Sequence, residues 1–216
     1  MPMLLERHLP SESRLAVWHI TEPEKWFHTR LILDPADLDA LAKLRHPRRR
    51  LQWLSSRWLV RHVMGNPSEA ISLCADDNGK PYIKNFTINI SLSHSADLSA
   101  VLISPHAAVG VDLEYVHPRI VQLRHRFLNE TELRQLSDPE DVPELCACWC
   151  AKEALYKLYG KKQLDFKRHL FLDLTGVDLP GKITGRINKP PHHSRHDIYV
   201  EFVQGFTLAY AIGSLT

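Results

Sequence analysis

The stretch Gly110-Val111-Asp112-Leu113-Glu114 lies in a valine-rich apolar run that follows the turn signal Ser104-Pro105-His106. Such a run predicts a buried strand. Alternate side chains of a strand point to opposite faces of its sheet, so Asp112 and Glu114 are expected to project the same way. Two such carboxylates repel each other unless a cation lies between them, and Mg²⁺ binds one or two protein carboxylates together with phosphate and water. An isolated Asp-x-Glu more often faces solvent from an edge strand, so the metal interpretation needs a second motif.

The second motif lies on a helix that is predicted from about Val142 to Tyr159 and is ended by Gly160. One stripe of this helix, at helical spacing, consists of Cys146, Trp149, Cys150, Glu153 and Lys157. The apolar part of the stripe predicts that it faces the protein interior, yet it ends in a glutamate and a lysine one turn apart. A solvated ion pair is the alternative, but a stripe that carries Trp149 favours an inward-facing functional pair.

The composition is that of an ordinary globular protein. The 216 residues are 44% hydrophobic and 24% charged, with a net charge of +2, which allows one sizeable core or two smaller ones and does not indicate a nucleic-acid binder. No apolar run approaches the length of a bilayer, and charged residues interrupt the first ten positions, so we expect a cytoplasmic protein without a membrane partner. The four cysteines have neither disulfide nor zinc spacing and predict reduced, largely buried thiols.

The N-terminal part of the chain is predicted to combine a strand with two helices. The strand covers residues 14–20, the first helix begins with Asp34 as its cap and Pro35 in its first turn, and the second helix runs from Pro47 to about Met64. Arginines 48–50 lie in the first turn of the second helix, where the helix dipole disfavours cations. Either solvation or a bound anion would compensate.

Two polar stretches follow this Arg-rich helix. The turn Asp76-Asp77-Asn78-Gly79 predicts a hairpin, and Lys80 follows it directly, where its ammonium can reach an adjacent cleft. A strand over residues 88–95 ends in Ser93-His94-Ser95. Small polar groups at a strand end are common in phosphate and nucleotide pockets, although an ordinary capped turn contains them too.

The remaining elements are predicted from apolar alternation and turn signals. Residues 98–103 are expected to form an antiparallel hairpin with the strand of Asp112, and the last hairpin joins residues 198–203 to 206–212. Short helices are expected over 118–127 and 130–136. The Gly-, Pro- and His-rich segment 176–196 predicts a loop, in which His192, His193 and His196 are interpreted as solvated side chains and not as metal ligands.

Together, Gly110-Val-Asp-Leu-Glu114 and Trp149-x-x-Lys152-Glu153-Ala-x-x-Lys157 resemble the paired signatures of the 4′-phosphopantetheinyl transferase superfamily, in its Sfp-type branch. The Gly79-Lys80-Pro81-Tyr82 turn, the Ser93-His94-Ser95 strand end and the Arg-rich helix agree with this resemblance. It implies an α+β fold of two similar halves, each a small antiparallel sheet with a long helix, related by a pseudo-twofold axis with coenzyme A between them. We place the halves at residues 1–104 and 105–216 and expect a monomer.

The resemblance also implies a reaction, in which phosphopantetheine moves from coenzyme A to a serine of an acyl or peptidyl carrier protein and 3′,5′-adenosine bisphosphate is released. Asp112, Glu114 and Glu153 would hold Mg²⁺, and Glu153 would take the serine proton, directly or through a water. Lys157 would place a positive charge on the phosphates, and Lys152 would add to it.

The cofactor's 3′-phosphate and adenosine are assigned by the same resemblance to Arg48, Lys80, Ser93 and His94. Arg50 and Arg57 are alternatives to Arg48, because several arginines can be aligned with the family's position.

Two other function classes stay open on the sequence. A coenzyme A or carrier-protein binding module of the same fold would lack turnover, and the presence of Asp112, Glu153 and Lys157 argues against it. A nucleic-acid binder acting through the Arg-rich helix predicts more positive charge and exposed aromatic residues, whereas Trp53 and Trp58 are better explained as core.

Overall fold

A computed structural model describes residues 2–65, 71–84 and 86–213, which combine six helices with two antiparallel sheets. This is the α+β class that the sequence predicts. The chain divides into two compact units, Met1–His106 and Ala107–Thr216, and each unit contains one of the sheets. Within the described residues, no helix is long and apolar enough to cross a membrane.

In the first unit, helices pack against one sheet that is built from long and short strands. Its described strands are β1 (Met3–Leu9), β2 (Ser13–His19), β3 (Leu73–Ala75), β4 (Pro81–Ile83), β5 (Asn89–Ser95) and β6 (Leu98–Ser104). Its described helices are α1 (Glu24–His28), α2 (Pro35–Lys43) and α3 (Pro47–Val63). The strands lie in the order β1-β2-β6-β5-β4-β3, and α3 packs against β2 and β6. As predicted, Asp34 caps α2 by accepting a hydrogen bond from the Asp37 N–H at 2.8 Å.

The second unit is built around one long helix on a five-stranded sheet. Its described elements are β7 (Val109–Tyr115), α4 (Ile120–Phe127), α5 (Glu130–Gln135), α6 (Val142–Tyr159), β8 (Leu170–Asp173), β9 (Gly181–Lys189), β10 (His192–Val203) and β11 (Phe206–Ile212). The strands lie in the order β7-β11-β10-β9-β8. Helix α6 packs on this sheet and supplies nine of the 22 described buried residues of the core cluster, all of them alanine, leucine or cysteine.

The bounds predicted for α6 are confirmed. Asp141 caps the first turn by accepting from the Glu144 N–H at 2.7 Å, and Gly160 ends the helix in the left-handed region at a φ of 67°. The predicted short helices over 118–127 and 130–136 are also present as α4 and α5.

Gly110 brings the backbone of β7 directly against α6. A Cβ atom at this position would lie 1.9 Å from the Ala154 carbonyl oxygen and 2.7 Å from the Leu158 nitrogen. Both neighbours are backbone atoms of a helix and cannot rotate away. The glycine that opens the first motif is therefore required for close packing of the two motif-bearing elements.

Gly110→Ala is expected to destabilise the second unit by about 2–3 kcal/mol, because α6 must move away from β7 to admit the methyl group. Urea unfolding followed by circular dichroism measures the loss. Gly213→Ala is the matched control, since its added Cβ would lie 3.3 Å from its nearest neighbour and should cost far less. Equal unfolding midpoints for Gly110→Ala and the wild-type protein would contradict this packing argument.

The predicted hairpin between residues 98–103 and the strand of Asp112 is wrong. Both edges of β6 are occupied, one by β2 and the other by β5, while β7 pairs with β11. The chain passes from the first unit to the second between these strands. Strand β6 forms its hairpin with the preceding β5, and β7 gains its partner from the distant β11.

The predicted loop over 176–196 is also wrong, because most of it forms β9 and the start of β10. Ile183, Gly185 and Ile187 are buried, and the residues between them are polar and more exposed. That alternation is a strand pattern, and Pro190-Pro191 lies at the turn between the two strands. His192, His193 and His196 accordingly lie on β10. Strand β1 was not predicted either.

Candidate functional site

The two sequence motifs meet where the last turns of α6 contact the middle of β7. The Lys157 ammonium donates to Asp112 Oδ1 at 2.7 Å and to the Val111 carbonyl oxygen at 3.0 Å. The Asp112 side chain is only 8% exposed and the Lys157 side chain 26%. A charge-assisted hydrogen bond in such a setting is stronger than a solvated surface pair. The inward orientation predicted for the polar end of the helix stripe is therefore confirmed.

Glu153 lies one helical turn before Lys157 and is half-buried. Burial is the largest cause that raises the pKa of Glu153, to about 7, and the charges of Asp112 and Glu114 raise it further while Lys157 lowers it. These three carboxyl groups thus lie within electrostatic reach of one another. A carboxyl group with a pKa near 7 can accept a proton at neutral pH and give it up again.

The raised pKa of Glu153 predicts a pH-dependent stability of the metal-free protein. The folded state holds the Glu153 proton up to about pH 7, whereas the unfolded state loses it near pH 4.5. Stability therefore falls as pH rises between these values, by roughly 3 kcal/mol for this one group. Glu153→Gln should remove this loss, so that in EDTA the variant is more stable than the wild-type protein at pH 8 but not at pH 5. Urea titrations at both pH values measure the difference, and a variant that shows the same pH dependence as the wild-type protein would contradict it.

A cavity of about 400 Å³ adjoins Glu114. Its walls are formed by Glu114, Tyr115, His117, Arg119, Ile120, Leu123, Cys146 and Trp149. The cavity therefore combines the acidic group of β7 with two basic side chains and an apolar wall. A ligand that is partly apolar and carries an anionic or polar group can contact Glu114 here.

The carboxylates of this cluster are hard oxygen donors of the type that Mg²⁺ prefers. Burial and, after it, repulsion by Asp112 and Glu114 raise the pKa of Glu153, and a bound divalent cation would relieve this repulsion. Among the residues that the structure describes, no group of three or more His, Cys, Asp or Glu side chains is arranged to hold a metal ion. The donor chemistry thus fits the cation, and metal binding by Asp112, Glu114 and Glu153 stays a prediction.

Comparison with known proteins finds a similarity in this half of the chain. The model of the 4′-phosphopantetheinyl transferase superfamily matches residues 108–211, which include β7, α6 and all but the last residue of the second sheet. Residues 108–211 are thus similar to the 4′-phosphopantetheinyl transferase superfamily. The family resemblance of the two motifs is confirmed.

Curated members of the 4′-phosphopantetheinyl transferase superfamily match about half of the chain. The 4′-phosphopantetheinyl transferase psf-1 of Bacillus pumilus is 32% identical over 111 residues, covering 48% of this chain and 47% of that protein. The 4′-phosphopantetheinyl transferase AcpT of Escherichia coli K12 is 28% identical over 118 residues, covering 52% and 59%. A putative 4′-phosphopantetheinyl transferase of Haemophilus influenzae is 28% identical over 123 residues, covering 54% and 52%. The chain thus spans about half the length of the curated relatives it matches.

The structure argues against the assignment of Lys152 to cofactor binding. The Lys152 side chain is fully buried, and burial lowers its pKa although Glu132 opposes this. The ammonium hydrogen-bonds at 2.7–2.9 Å to Glu132 Oε2 and to three carbonyl oxygens, those of Phe127, Phe166 and Leu170. An ammonium has three protons, so these acceptors leave none for a phosphate. Lys152 points away from its neighbour Glu153 because adjacent helical residues face different directions.

Glu132 is the residue of this network that the sequence analysis missed. Its Oε2 also accepts from the Asn129 N–H at 2.8 Å, and its Oε1 accepts from the Leu172 N–H at 2.8 Å. The available signal was Asn129-Glu-Thr-Glu132, the spacing of a capping box, which the structure contains at the start of α5. Its long-range contact to Lys152 has no sequence signal.

The residues assigned to the cofactor's 3′-phosphate and adenosine lie in the first unit, outside the segment matched by the superfamily model. Arg50 pairs with Glu24 and donates to the Leu41 carbonyl oxygen at 2.7 Å, and Arg57 pairs with Asp37 at 2.9 Å. Arg48 is exposed in the first turn of α3 and makes no ion pair within the described part of the chain. The two alternatives to Arg48 therefore already have structural partners.

Lys80, Ser93 and His94 lie on the hairpin and strand that the sequence predicts. Lys80 follows the Gly79 turn, and burial lowers the pKa of its ammonium. Ser93 is buried and His94 exposed, as expected for neighbours on β5 that point to opposite faces. Cofactor binding by these three residues stays a prediction.

The cysteines agree with the prediction of reduced and largely buried thiols. All four are free, and Cys146, Cys148 and Cys150 are buried on α6. Burial raises the pKa of the Cys150 thiol well above its usual value, and Asp112 adds to this. Burial likewise raises the pKa of Cys146 and Cys148, so the three thiols of α6 are protonated and unreactive at neutral pH.

Proposed function

We propose that this protein is a Mg²⁺-dependent 4′-phosphopantetheinyl transferase that moves phosphopantetheine from coenzyme A to a serine of an acyl or peptidyl carrier protein and releases 3′,5′-adenosine bisphosphate. The observation that carries the proposal is the junction of α6 with β7. There Lys157 is bonded to Asp112, and Glu153 has a pKa near 7. The similarity of residues 108–211 to the superfamily supports the same reaction class.

The transfer is a displacement at phosphorus. The serine oxygen forms a bond to the β-phosphorus of coenzyme A, the bond from that phosphorus to the bridging oxygen breaks, and the serine proton passes to Glu153, directly or through a water. Positioning and charge stabilisation contribute most to such reactions. Glu153 fits the role of base because burial and its acidic neighbours raise its pKa to about 7.

Lys157 and Asp112 form the fixed electrostatic part of the proposed site. Asp112 and the Val111 carbonyl hold the Lys157 ammonium against β7 while leaving its side chain 26% exposed. The ammonium thus provides a positive charge near the negative oxygens of the substrate. Asp112, Glu114 and Glu153 would hold Mg²⁺, which when bound neutralises charge on the pyrophosphate oxygens.

The finer assignments rest on the resemblance and are proposals as well. Arg48, Lys80, Ser93 and His94 would bind the 3′-phosphate and adenosine of coenzyme A. The exposed position of Arg48 supports its assignment to the 3′-phosphate in preference to Arg50 and Arg57, both of which have structural partners. A cytoplasmic monomer that acts on carrier proteins is the corresponding proposal for location and partners.

Mass spectrometry of a carrier protein tests the proposed reaction. Apo acyl or peptidyl carrier protein incubated with this protein, coenzyme A and Mg²⁺ should gain the mass of one phosphopantetheine group. The gain should be lost in EDTA and in a carrier whose acceptor serine is replaced by alanine. If several apo carriers gain no mass while coenzyme A still binds, the protein is a binding module of the same fold.

Nucleic-acid binding through the Arg-rich helix is disfavoured by the structure. Arg57 is paired with Asp37 and lies 3.2 Å above the Trp53 ring centre, so neither is available for a base. Trp58 packs against Trp18, with their ring centres 4.1 Å apart. The aromatic residues of this helix thus have the structural role that the sequence predicts.

Lys157→Ala is expected to lower kcat/KM for carrier modification at least about 100-fold, because a fixed positive charge near the phosphates is lost. Its effect on unfolding should be smaller, about 2 kcal/mol, from the buried Asp112 that loses its partner. Transfer rates and urea unfolding measure the two effects. Lys161→Ala is the matched control, since this exposed lysine lies just beyond the end of α6. If the lower transfer rate of Lys157→Ala were fully explained by the fraction of the variant that is unfolded, a role of Lys157 in the reaction would be contradicted.

A further inference from the structure

A second cavity, of about 480 Å³, lies on β8, β9 and β10, at the opposite edge of the sheet from β7. It is lined by Phe171, Arg186, Ile187, Asn188, His193, Ser194 and Arg195. None of these residues belongs to the proposed transferase site.

Three of these side chains form one row across the sheet. Phe171 of β8 is paired with Arg186 of β9, and Arg186 is paired with Arg195 of β10. The neighbouring row pairs Asn188 with His193. Directly paired residues share a face and have Cα atoms about 4.5–5.5 Å apart, so the two guanidinium groups can reach a common ligand.

This row faces away from α6. The strand neighbours of Arg186 are Gly185 and Ile187, which are buried, and a Cβ on Gly185 would lie 2.7 Å from Leu155 of α6. Alternate residues of a strand point to opposite faces, so Arg186 lies on the face remote from the Lys157–Asp112 contact. The cavity is therefore distinct from the proposed transferase site within the same unit.

The two arginines have no counter-charge in the part of the chain that the structure describes. Neither makes an ion pair or a side-chain hydrogen bond there, and both are exposed. The neighbouring row on this face contains Asp173 and Asp197. Asp197 is paired with Lys182 at 3.0 Å, and Asp173 accepts from the Thr175 N–H and makes no ion pair with either arginine within the described residues. Like charges directly opposite each other destabilise a sheet. An anion held between them would remove this repulsion and gain bidentate hydrogen bonds.

We propose that Arg186 and Arg195 bind a phosphate-type dianion in this cavity, either free phosphate or the phosphate of a monoester. The fork of a guanidinium matches the oxygens of such a group, and Asn188 and His193, which share this face, supply further hydrogen-bonding atoms in the same cavity. Phe171, next in the row, offers a half-exposed ring on which the body of an aromatic monoester can pack.

Nuclear magnetic resonance of the arginine Nε–H groups tests the site, because it reports each guanidinium separately from the transferase site. Titration with inorganic phosphate should shift the Arg186 and Arg195 signals together along one saturable curve. Arg186→Ala and Arg195→Ala should each weaken this binding at least about tenfold, whereas Lys43→Ala, a control at an exposed lysine of α2 in the first unit, should not. The arginines are exposed, so the variants are expected to fold, and relief of the repulsion should keep their unfolding midpoints at or above that of the wild-type protein.

Adenosine 5′-monophosphate distinguishes the two sources of the phosphate group. If the natural ligand is an aromatic monoester, the nucleotide should bind more tightly than phosphate, and Phe171→Ala should abolish the difference. If free phosphate is the ligand, the two affinities should be equal. Shifts that do not saturate, that appear equally at all exposed arginines, or that persist in both arginine variants would overturn the proposal. So would binding of an acidic peptide in the absence of any phosphate binding.

Discussion

Glu153→Gln is expected to lower the rate of carrier modification by at least about 10³-fold and to leave coenzyme A binding within about twofold. Glutamine has nearly the same shape but cannot take the serine proton, and it is a poorer ligand for a divalent cation. The half-buried position of Glu153 and its pKa of about 7 make this the most sensitive position of the proposed site. Single-turnover transfer followed by mass spectrometry measures the rate, and calorimetry measures coenzyme A binding.

Glu130→Gln is the matched control for this experiment. Glu130 is an exposed glutamate in the first turn of α5, in the same unit, and its replacement should change neither quantity. A Glu153→Gln protein that transfers at a rate close to that of the wild-type protein would show that Glu153 is not the base. A parallel loss of coenzyme A binding would instead show that the substitution disturbs the fold.

The parts of the site that the sequence predicts are those specified by local patterns. Alternation fixes β7 and the shared face of Asp112 and Glu114, and helical spacing with a capping Asp141 and a terminal Gly160 fixes α6. The inward direction of Lys157 follows from the apolar residues on its stripe. The spacing of the motif does not explain why residue 110 is a glycine. The reason is the close contact of β7 with the backbone of α6, which only the structure shows.

The errors arise where distant segments decide the outcome. Strand β7 pairs with β11, almost a hundred residues later in the chain, and not with the preceding β6. The histidine-rich segment forms β9 and β10 because its few isoleucines pack under α6, although its composition is that of a loop. Lys152 was assigned from the motif in which it stands, but its partners come from α4, α5, β8 and the segment between α6 and β8. No single-sequence pattern reports such contacts.

The buried pair of Lys152 with Glu132 leads to the largest expected stability effect. Lys152→Met keeps the volume of the side chain but leaves the Glu132 carboxylate buried without a counter-charge, so the second unit should lose about 3–5 kcal/mol. Glu132→Gln alone should also be strongly destabilising, because it leaves a buried ammonium among carbonyl oxygens. The double variant removes both charges, so its cost should be less than the sum of the two single costs. Urea unfolding of the four proteins gives the coupling free energy.

Transfer activity per folded molecule separates this structural role from the role in phosphate binding that the motif implies. With all its protons directed to internal acceptors, Lys152 contributes to packing α5 and β8 against α6 and does not contact the substrate. The folded fraction of Lys152→Met, measured at low temperature, should therefore keep most of its transfer rate, in contrast to Lys157→Ala. If Lys152→Met instead had the stability of the wild-type protein and lost transfer, the buried network would not be its main function. The two lysines of the motif would then both act on the phosphates.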